Sequence, residues 1–218
     1  MAFQGLDEND LKCFKEHGFL IKRGLLSSKQ VENLTESVTN ALNWPETPGK
    51  WMMYGNTCPD GDSESSPCTL FPFSCRYFEK SSTDGKRILN RLENFVENDK
   101  NFEDICTNSV IRDAISELFG EPAILFKEKI NFKLPGAGGF EPHQDQQAGW
   151  GVYDDLFINA LISIDESTKE NGALQIANTN YASDIKLIGS EWTPLTAEQI
   201  AAFEFETVCT QPGDVVFF

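Results

Sequence analysis

The sequence predicts an α+β fold, with helices in its first part and a β-sandwich or barrel in its second part. Apolar residues recur at helical spacing in much of residues 1–120, and the spacing becomes strand-like after Pro122. Short apolar runs then alternate with turn sequences such as Asn171-Gly172 and Pro212-Gly213-Asp214. Helices followed by a run of short strands are typical of α+β domains.

Four helices are predicted in the first part. Asp7 or Asp10 caps the first, which ends at Gly18, and a capping box at 27–30 begins the second, which ends at 44–45. The apolar positions of the second helix are Val31, Leu34, Val38 and Leu42.

The other two helices are expected over about residues 84–96 and 108–120, the former with Ile88, Leu92 and Phe95 facing inward. A loop insertion rich in Gly, Pro, Ser and Asp is expected at 55–75. Such long loops are functional lids or disordered segments, and we expect disorder here.

Strands are predicted at 19–21, 123–134, 156–164, 173–176 and 215–218. In the second of these, every other residue belongs to a mostly apolar face: Ile124, Phe126, Glu128, Ile130 and Phe132. The intervening residues form a strongly cationic face: Leu125, Lys127, Lys129, Asn131 and Lys133.

Composition limits the classes of function. A chain of 218 residues supports one substantial core, so a single domain is predicted over 1–218. The formal charge of -16 repels phosphate backbones and anionic lipids, which disfavours nucleic-acid and membrane partners, while a local basic pocket for a small anion stays compatible with it. The sequence shows no apolar run long enough to span a bilayer and no secretory signal, so a cytoplasmic protein is expected.

The six cysteines lack C-x-x-C spacing, which favours reduced thiols. A local bridge, Cys58–Cys68 or Cys68–Cys75, is the less favoured alternative.

His143-Gln144-Asp145 is the strongest candidate for a chemical site. On a strand, this spacing puts an imidazole and a carboxylate on the same face, where both can bind one metal ion. Imidazole and carboxylate together suit Fe(II) in a 2-His-1-carboxylate triad. The alternative is a surface turn with a hydrogen-bonded histidine.

The sequence around this motif resembles the phytanoyl-CoA dioxygenase family of iron- and 2-oxoglutarate-dependent oxygenases. The resemblance rests on five segments: 14–20, 126–136, 139–145, 170–174 and 212–218. It implies a double-stranded β-helix (jelly roll) flanked by N-terminal helices, Fe(II) bound by His143 and Asp145, and 2-oxoglutarate as cosubstrate, with ascorbate as reductant.

Segments 127–132 and 144–150 look most like the branch of the family that hydroxylates small organophosphonates. The resemblance then implies cosubstrate binding by Asn131 and Lys127. Lys129, Gln146 and Trp150 are the candidate substrate-binding residues. The alternatives are that the lysines lie on a solvated face and that Trp150 is a packing residue.

The family places a distal histidine ligand and a 2-oxoglutarate-binding arginine after the segment that 212–218 resembles. We therefore expect a C-terminally incomplete jelly roll with little or no oxygenase activity as given. A non-catalytic jelly roll that binds a small anion or a protein partner is the alternative function, and an unrelated metal-free sandwich is a third. Substrate identity and oligomeric state remain open.

Overall fold

The computed structural model describes residues 5–44, 51–54, 74–107, 110–177 and 195–218. The helices are α1 (Glu8–His17), α2 (Ser28–Leu42), α3 (Lys100–Thr107), α4 (Val110–Phe119) and α5 (Ala197–Ala201). The strands are β1 (Leu20–Lys22), β2 (Trp51–Tyr54), β3 (Ser74–Lys80), β4 (Arg87–Glu93), β5 (Lys129–Asn131), β6 (Ala160–Ile162), β7 (Leu174–Ala177), β8 (Phe205–Val208) and β9 (Val215–Phe217). In the described ranges no helix is long and apolar enough to cross a membrane.

The chain divides into two compact units. The first unit comprises Met1–Val31, Val110–Ala123 and Gly139–Phe218, and the second comprises Glu32–Ser109 and Ile124–Gly138. Each unit contains its own sheet. Nearly all of the loop predicted at 55–75, and with it Cys58 and Cys68, lies outside the described residues.

The first unit is built on the three-stranded sheet β1-β9-β6, in which β9 is the central strand and pairs antiparallel with both neighbours. Val215, Val216 and Phe217 are fully buried, as expected of a short apolar strand covered on both faces. Val216 packs with Phe19 and Val208 in the core of this unit. The strands β7 and β8 form a separate antiparallel pair in the same unit.

The turn before β9 is fixed by its glycine and aspartate. Gly213 has a φ of 92°, and a Cβ at this position would lie 2.9 Å from the carbonyl oxygen of Leu26. The buried carboxylate of Asp214 accepts hydrogen bonds from Gln211 N at 2.9 Å, from Arg23 at 2.7 Å and from Gly24 N at 2.7 Å. The turn therefore joins β9 to the segment that follows β1.

The second unit contains the four-stranded sheet β2-β3-β4-β5. Leu92 of β4 is fully buried, and the rings of Phe95 and Phe102 meet edge-on with centroids 4.6 Å apart. The buried Arg76 donates to the carbonyl oxygens of Leu42 and Trp44. Its guanidinium therefore supplies hydrogen-bond donors to carbonyl groups at and just after the C-terminal end of α2.

The predictions for α1 and α2 are confirmed. Asp7 caps α1 in a capping box with Asp10, and Gly18 ends it at a φ of 77°. The side chains of Ser27 and Gln30 bond each other's backbone at the start of α2. The helix predicted at 108–120 is α4, although its proposed cap, Asn108, lies outside the described residues.

The prediction of a helix at 84–96 is wrong, because residues 87–93 form strand β4. The register with β3 shifts at Tyr77, which pairs with Arg91, while Phe78 pairs with Leu89. Asn90 is therefore an extra residue, a β-bulge. The bulge lets Leu89 and Leu92 both be buried although they are three residues apart, whereas Ile88, which was predicted to face inward, is only half-buried.

Two strand predictions are also corrected. Within 123–134 only Lys129–Asn131 is a strand, and Ile124, predicted on the apolar face, is 90% exposed. Glu128, predicted on the same face, accepts hydrogen bonds through its side chain from the backbone N–H groups of Phe95 and Val96. Asn171-Gly172 does precede β7, but β7 pairs with β8 rather than across that turn.

The described cysteines whose side chains are placed, Cys13, Cys106 and Cys209, are free thiols. Burial, with a smaller contribution from Glu128, raises the pKa of Cys106 to about 12. A thiol with so high a pKa is unreactive, because the thiolate is the nucleophile.

Replacement of Asp214 by Asn is expected to destabilise the protein by about 1–3 kcal/mol at neutral pH, because three hydrogen-bond donors lose a charged acceptor that is itself buried. Burial alone would raise the pKa of Asp214, but the bonds from Gln211, Arg23 and Gly24 outweigh it and hold the pKa below its ordinary value. The carboxylate therefore stabilises the fold above the unfolded pKa of about 3.9, and this is lost as pH falls through the folded pKa.

Urea denaturation of the wild type and of Asp214→Asn between pH 2.5 and pH 7 measures this effect. The free energy of unfolding should fall less steeply with decreasing pH in the variant than in the wild type. The exposed Asp165 serves as the control, since Asp165→Asn should change stability by no more than about 0.5 kcal/mol. Equal stability of wild type and Asp214→Asn at pH 7 would contradict the assignment.

Candidate metal centre

His143 and Asp145 converge in the first unit, although neither lies in a strand. Asp145 begins a short 3₁₀ turn, and Gln144 between the two has extended backbone angles, φ -100° and ψ 135°. One extended residue is enough to put the flanking side chains on the same side of the chain. As a result, Nε2 of His143 lies 3.3 Å from Oδ1 of Asp145.

The imidazole of His143 is oriented by its own chain. Nδ1 lies 2.6 Å from the carbonyl oxygen of Glu141. A carbonyl oxygen only accepts hydrogen bonds, so Nδ1 is the protonated nitrogen in this contact, and in the neutral form of the ring the lone pair lies on Nε2. This is the usual way in which metal-binding histidines are held, and it directs Nε2 toward the carboxylate.

The carboxylate of Asp145 is oriented by Asn159, which precedes β6. Nδ2 of Asn159 donates to Oδ2 of Asp145 at 2.7 Å. The backbone of Asn159 exchanges two hydrogen bonds with Phe218, at 2.7 Å and 3.1 Å. Asn159 is thereby fixed by the chain that leaves β9, and its amide holds the carboxylate with Oδ1 toward His143.

The geometry of this pair fits two neighbouring ligands of one metal ion. Two donors that are each about 2.1 Å from a metal, at a right angle, lie about 3.0 Å apart. The observed separation of 3.3 Å between Nε2 and Oδ1 is close to that value. Nitrogen and carboxylate donors together match the preference of Fe(II). Among the residues that the structure describes, no group of three His, Cys, Asp or Glu side chains is arranged to hold a metal.

Two of the predicted substrate-binding residues follow this pair in the same unit. The side chain of Gln146 reaches the carbonyl oxygen of Asp155 at 3.4 Å. The ring of Trp150 packs against Phe157 with centroids 5.3 Å apart. Both side chains thus have structural contacts, and their role toward a substrate stays a prediction.

The other predicted binding residues lie in the second unit. Lys129 and Asn131 are exposed on β5, where they alternate with the half-buried Ile130, so the predicted cationic face exists over this part. Nζ of Lys127 lies 3.5 Å from a carboxylate oxygen of Glu93 on β4. Their roles in cosubstrate and substrate binding stay predictions.

Sequence reasoning missed Asn159. The signal was present, because Asn159 is the one polar residue in the apolar run 156–162. A polar side chain in such a strand needs a hydrogen-bond partner, which directs attention to a neighbouring polar group. The identity of that group, Asp145, depends on the tertiary structure.

The sequence profile described as Phytanoyl-CoA dioxygenase (PhyH) matches residues 14–218. The chain belongs to the phytanoyl-CoA dioxygenase family. The match extends over both units and over all five segments that carried the resemblance.

Two relatives of this chain carry names that refer to phosphonates. The chain is 34% identical over 206 residues to 2-aminoethylphosphonate dioxygenase of Uncultured bacterium HF130_AEPn_1, which covers 94% of this chain and 69% of that protein. It is 28% identical over 213 residues to methylphosphonate hydroxylase of Gimesia maris, and this alignment covers 98% of this chain and 71% of that protein.

The fold is shared with solved structures. The crystal structure of EctD from S. alaskensis with 2-oxoglutarate and 5-hydroxyectoine matches with a TM-score of 0.65 at 14% sequence identity. The match covers 98% of this chain and 67% of that chain. The prediction of a mixed helix and sheet fold of the oxygenase type is confirmed.

Replacement of Asn159 by Ala is expected to weaken Mn(II) binding by roughly 10- to 100-fold, because Asp145 loses the donor that orients it. Isothermal titration with Mn(II) measures this. Asn171→Ala is the matched control, since Asn171 is also a hydrogen-bonded amide of the first unit and lies in a separate turn. Unchanged affinity in Asn159→Ala, or an equal loss in both variants, would refute the role of Asn159.

Proposed function

We propose that this chain is an Fe(II)- and 2-oxoglutarate-dependent dioxygenase in which His143 and Asp145 supply two ligands to the iron. The observation that supports it best is the separation of 3.3 Å between Nε2 of His143 and Oδ1 of Asp145, each side chain being oriented by a further hydrogen bond. Membership of the phytanoyl-CoA dioxygenase family supports the same chemistry.

Bound iron and 2-oxoglutarate supply an oxidation in which O₂ hydroxylates a C–H bond while 2-oxoglutarate becomes succinate and CO₂. The contribution of the protein is to orient the ligands. Glu141 fixes the tautomer of His143, and Asn159 fixes the carboxylate of Asp145. Hydrogen bonds of this kind keep the donors of a metal site in a fixed orientation.

The proposed substrate is a small organophosphonate. Support comes from the names of two relatives, 2-aminoethylphosphonate dioxygenase and methylphosphonate hydroxylase, and from the cationic residues of β5 and the segment before it. In this proposal Asn131 and Lys127 bind 2-oxoglutarate, while Lys129, Gln146 and Trp150 contact the substrate. The proposed fold of the catalytic part is the jelly roll.

The 218 residues contain one further histidine, His17, which ends α1 with its ring centroid 6.5 Å from that of Phe19. A histidine at a helix C-terminus is explained by the helix dipole. We therefore propose that the 218-residue chain by itself binds the metal loosely and has little oxygenase activity.

The metal site is tested by titration of the purified chain with Mn(II) or Fe(II) under argon. We expect binding that falls by more than roughly tenfold in His143→Ala and in Asp145→Ala, since each removes a ligand. His17→Gln is the matched control, because it removes the only other histidine and should leave the affinity unchanged. Binding that does not depend on His143 and Asp145 would refute the site.

Activity is tested separately with Fe(II), ascorbate, 2-oxoglutarate and methylphosphonate. We expect little succinate from the 218-residue chain. Stoichiometric succinate together with a hydroxylated product would refute the proposed inactivity while it supports the dioxygenase assignment. A chain that binds methylphosphonate but no metal would instead favour the alternative function, a non-catalytic jelly roll that binds a small anion.

A further inference from the structure

Gln147 is a buried polar side chain for which neither the metal pair nor the proposed substrate contacts account. It lies in the 3₁₀ turn Asp145–Ala148 of the first unit and is 6% exposed. Glutamine is found mostly on protein surfaces, and a buried amide needs hydrogen-bond partners to offset its loss of hydration. The partners of Gln147 therefore indicate what this residue does.

The side chain and the backbone of Gln147 both bind Gln144, the residue between His143 and Asp145. Oε1 of Gln147 accepts a hydrogen bond from the backbone N–H of Gln144 at 2.8 Å. The backbone N–H of Gln147 donates to the carbonyl oxygen of Gln144 at 2.9 Å. Both polar groups of the Gln144 backbone are thus bonded to the same residue.

These two hydrogen bonds fix the backbone angles of Gln144. Its N–H belongs to the planar peptide unit shared with His143, and its carbonyl belongs to the planar unit shared with Asp145. The two planes meet at the Cα atom of Gln144, so the rotations between them are φ and ψ of this residue. Because Gln147 is bonded to both planes, it holds Gln144 at the observed φ of -100° and ψ of 135°.

The backbone angles of Gln144 decide whether the two candidate ligands meet. An extended residue places the side chains before and after it on the same side of the chain, whereas helical angles would direct His143 and Asp145 apart. The hydrogen bonds that orient the imidazole and the carboxylate are made by the side chains themselves and do not fix the chain between them. Gln147 supplies that constraint.

We propose that Gln147 is a positioning residue of the metal centre, which holds the chain between His143 and Asp145 so that both side chains bind one metal ion. This inference rests on the proposed function and adds to it a residue that acts through the backbone of Gln144. A neutral amide suits this position, because it supplies an acceptor oxygen without burying a further negative charge.

The test is isothermal titration of the 218-residue chain with Mn(II). Gln147→Met has a side chain of similar length that lacks the acceptor oxygen. We expect it to weaken Mn(II) binding by roughly tenfold, the lower end of the range for groups that orient metal ligands, because Gln147 acts on the backbone and not on a ligand atom. Gln147→Glu keeps an acceptor oxygen in either protonation state, so its affinity should equal or exceed that of the wild type.

Gln199→Met is the matched control. Gln199 lies in the same unit, and its Oε1 accepts a hydrogen bond from the backbone N–H of Thr196 at 2.8 Å. The residue therefore makes the same contact over the same separation in the chain, at the start of α5. Its replacement should leave the Mn(II) affinity within about twofold, since the hydrogen bond that is lost lies in a different turn.

Amide hydrogen exchange tests the hydrogen bond without any metal. The Gln144 amide should exchange roughly tenfold faster in Gln147→Met than in the wild type, and at about the wild-type rate in Gln147→Glu, because exchange requires the bond to open. Near-ultraviolet circular dichroism shows whether each variant is folded. If Gln147→Met does not fold, Gln147→Ala replaces it in both measurements, since its smaller side chain lets water reach the Gln144 N–H.

Three results would overturn the inference. The first is Mn(II) binding that depends on His143 and is equal in the wild type and Gln147→Met, which would leave the proposed metal site intact. The second is an equal loss of affinity in Gln147→Met and Gln147→Glu, or in Gln147→Met and Gln199→Met, which would reduce the effect to packing or general stability. The third is the absence of Mn(II) binding in the wild type, which would refute the proposed metal site itself. Failure of the inference alone and failure of the proposed function are therefore distinguishable.

Discussion

The central position of β9 is the constraint on which the first unit depends. Its three residues are fully buried and carry the ladders to both β1 and β6. At its start, Asp214 gathers hydrogen bonds from Gln211 and from the turn after β1. At its end, Phe218 pairs with Asn159, whose amide holds Asp145. The orientation of a candidate iron ligand therefore follows from the pairing of a strand that contributes no ligand.

The two candidate ligands are oriented by different kinds of interaction. His143 is held by a carbonyl two residues earlier in the chain, so its tautomer is set locally. Asp145 is held by Asn159, 14 residues away, and that contact exists only when β6 is paired. Local unfolding near β6 would release the carboxylate and leave the imidazole in place. Metal binding in this site is thus linked to the stability of the β1-β9-β6 sheet.

Sequence reasoning succeeded where the determining interactions are local. The caps at Asp7 and Ser27 depend on neighbours within a few residues, and the structure contains both. The side chains of His143 and Asp145 also meet, although in a 3₁₀ turn rather than on a strand, and their role as metal ligands stays a prediction. It failed at β4, because Ile88, Leu92 and Phe95 have helical spacing although residues 87–93 pair as a strand with β3 and β5. The pairing of Arg91 with Asn131 does not follow from the sequence, since register between strands is a tertiary property. Asn159 was missed for the same reason.

The net charge of the chain and the charge of one sheet face are separate quantities. At physiological ionic strength, exposed charges more than about 8 Å apart are largely screened, so the overall charge of -16 has little influence inside a contact. Glu93 on β4 contacts two cationic groups at short range, Nε of Arg91 at 3.1 Å and Nζ of Lys127 at 3.5 Å. A strongly acidic composition therefore argues against an extended polyanion as partner, and it is fully compatible with a small dianion bound at short range.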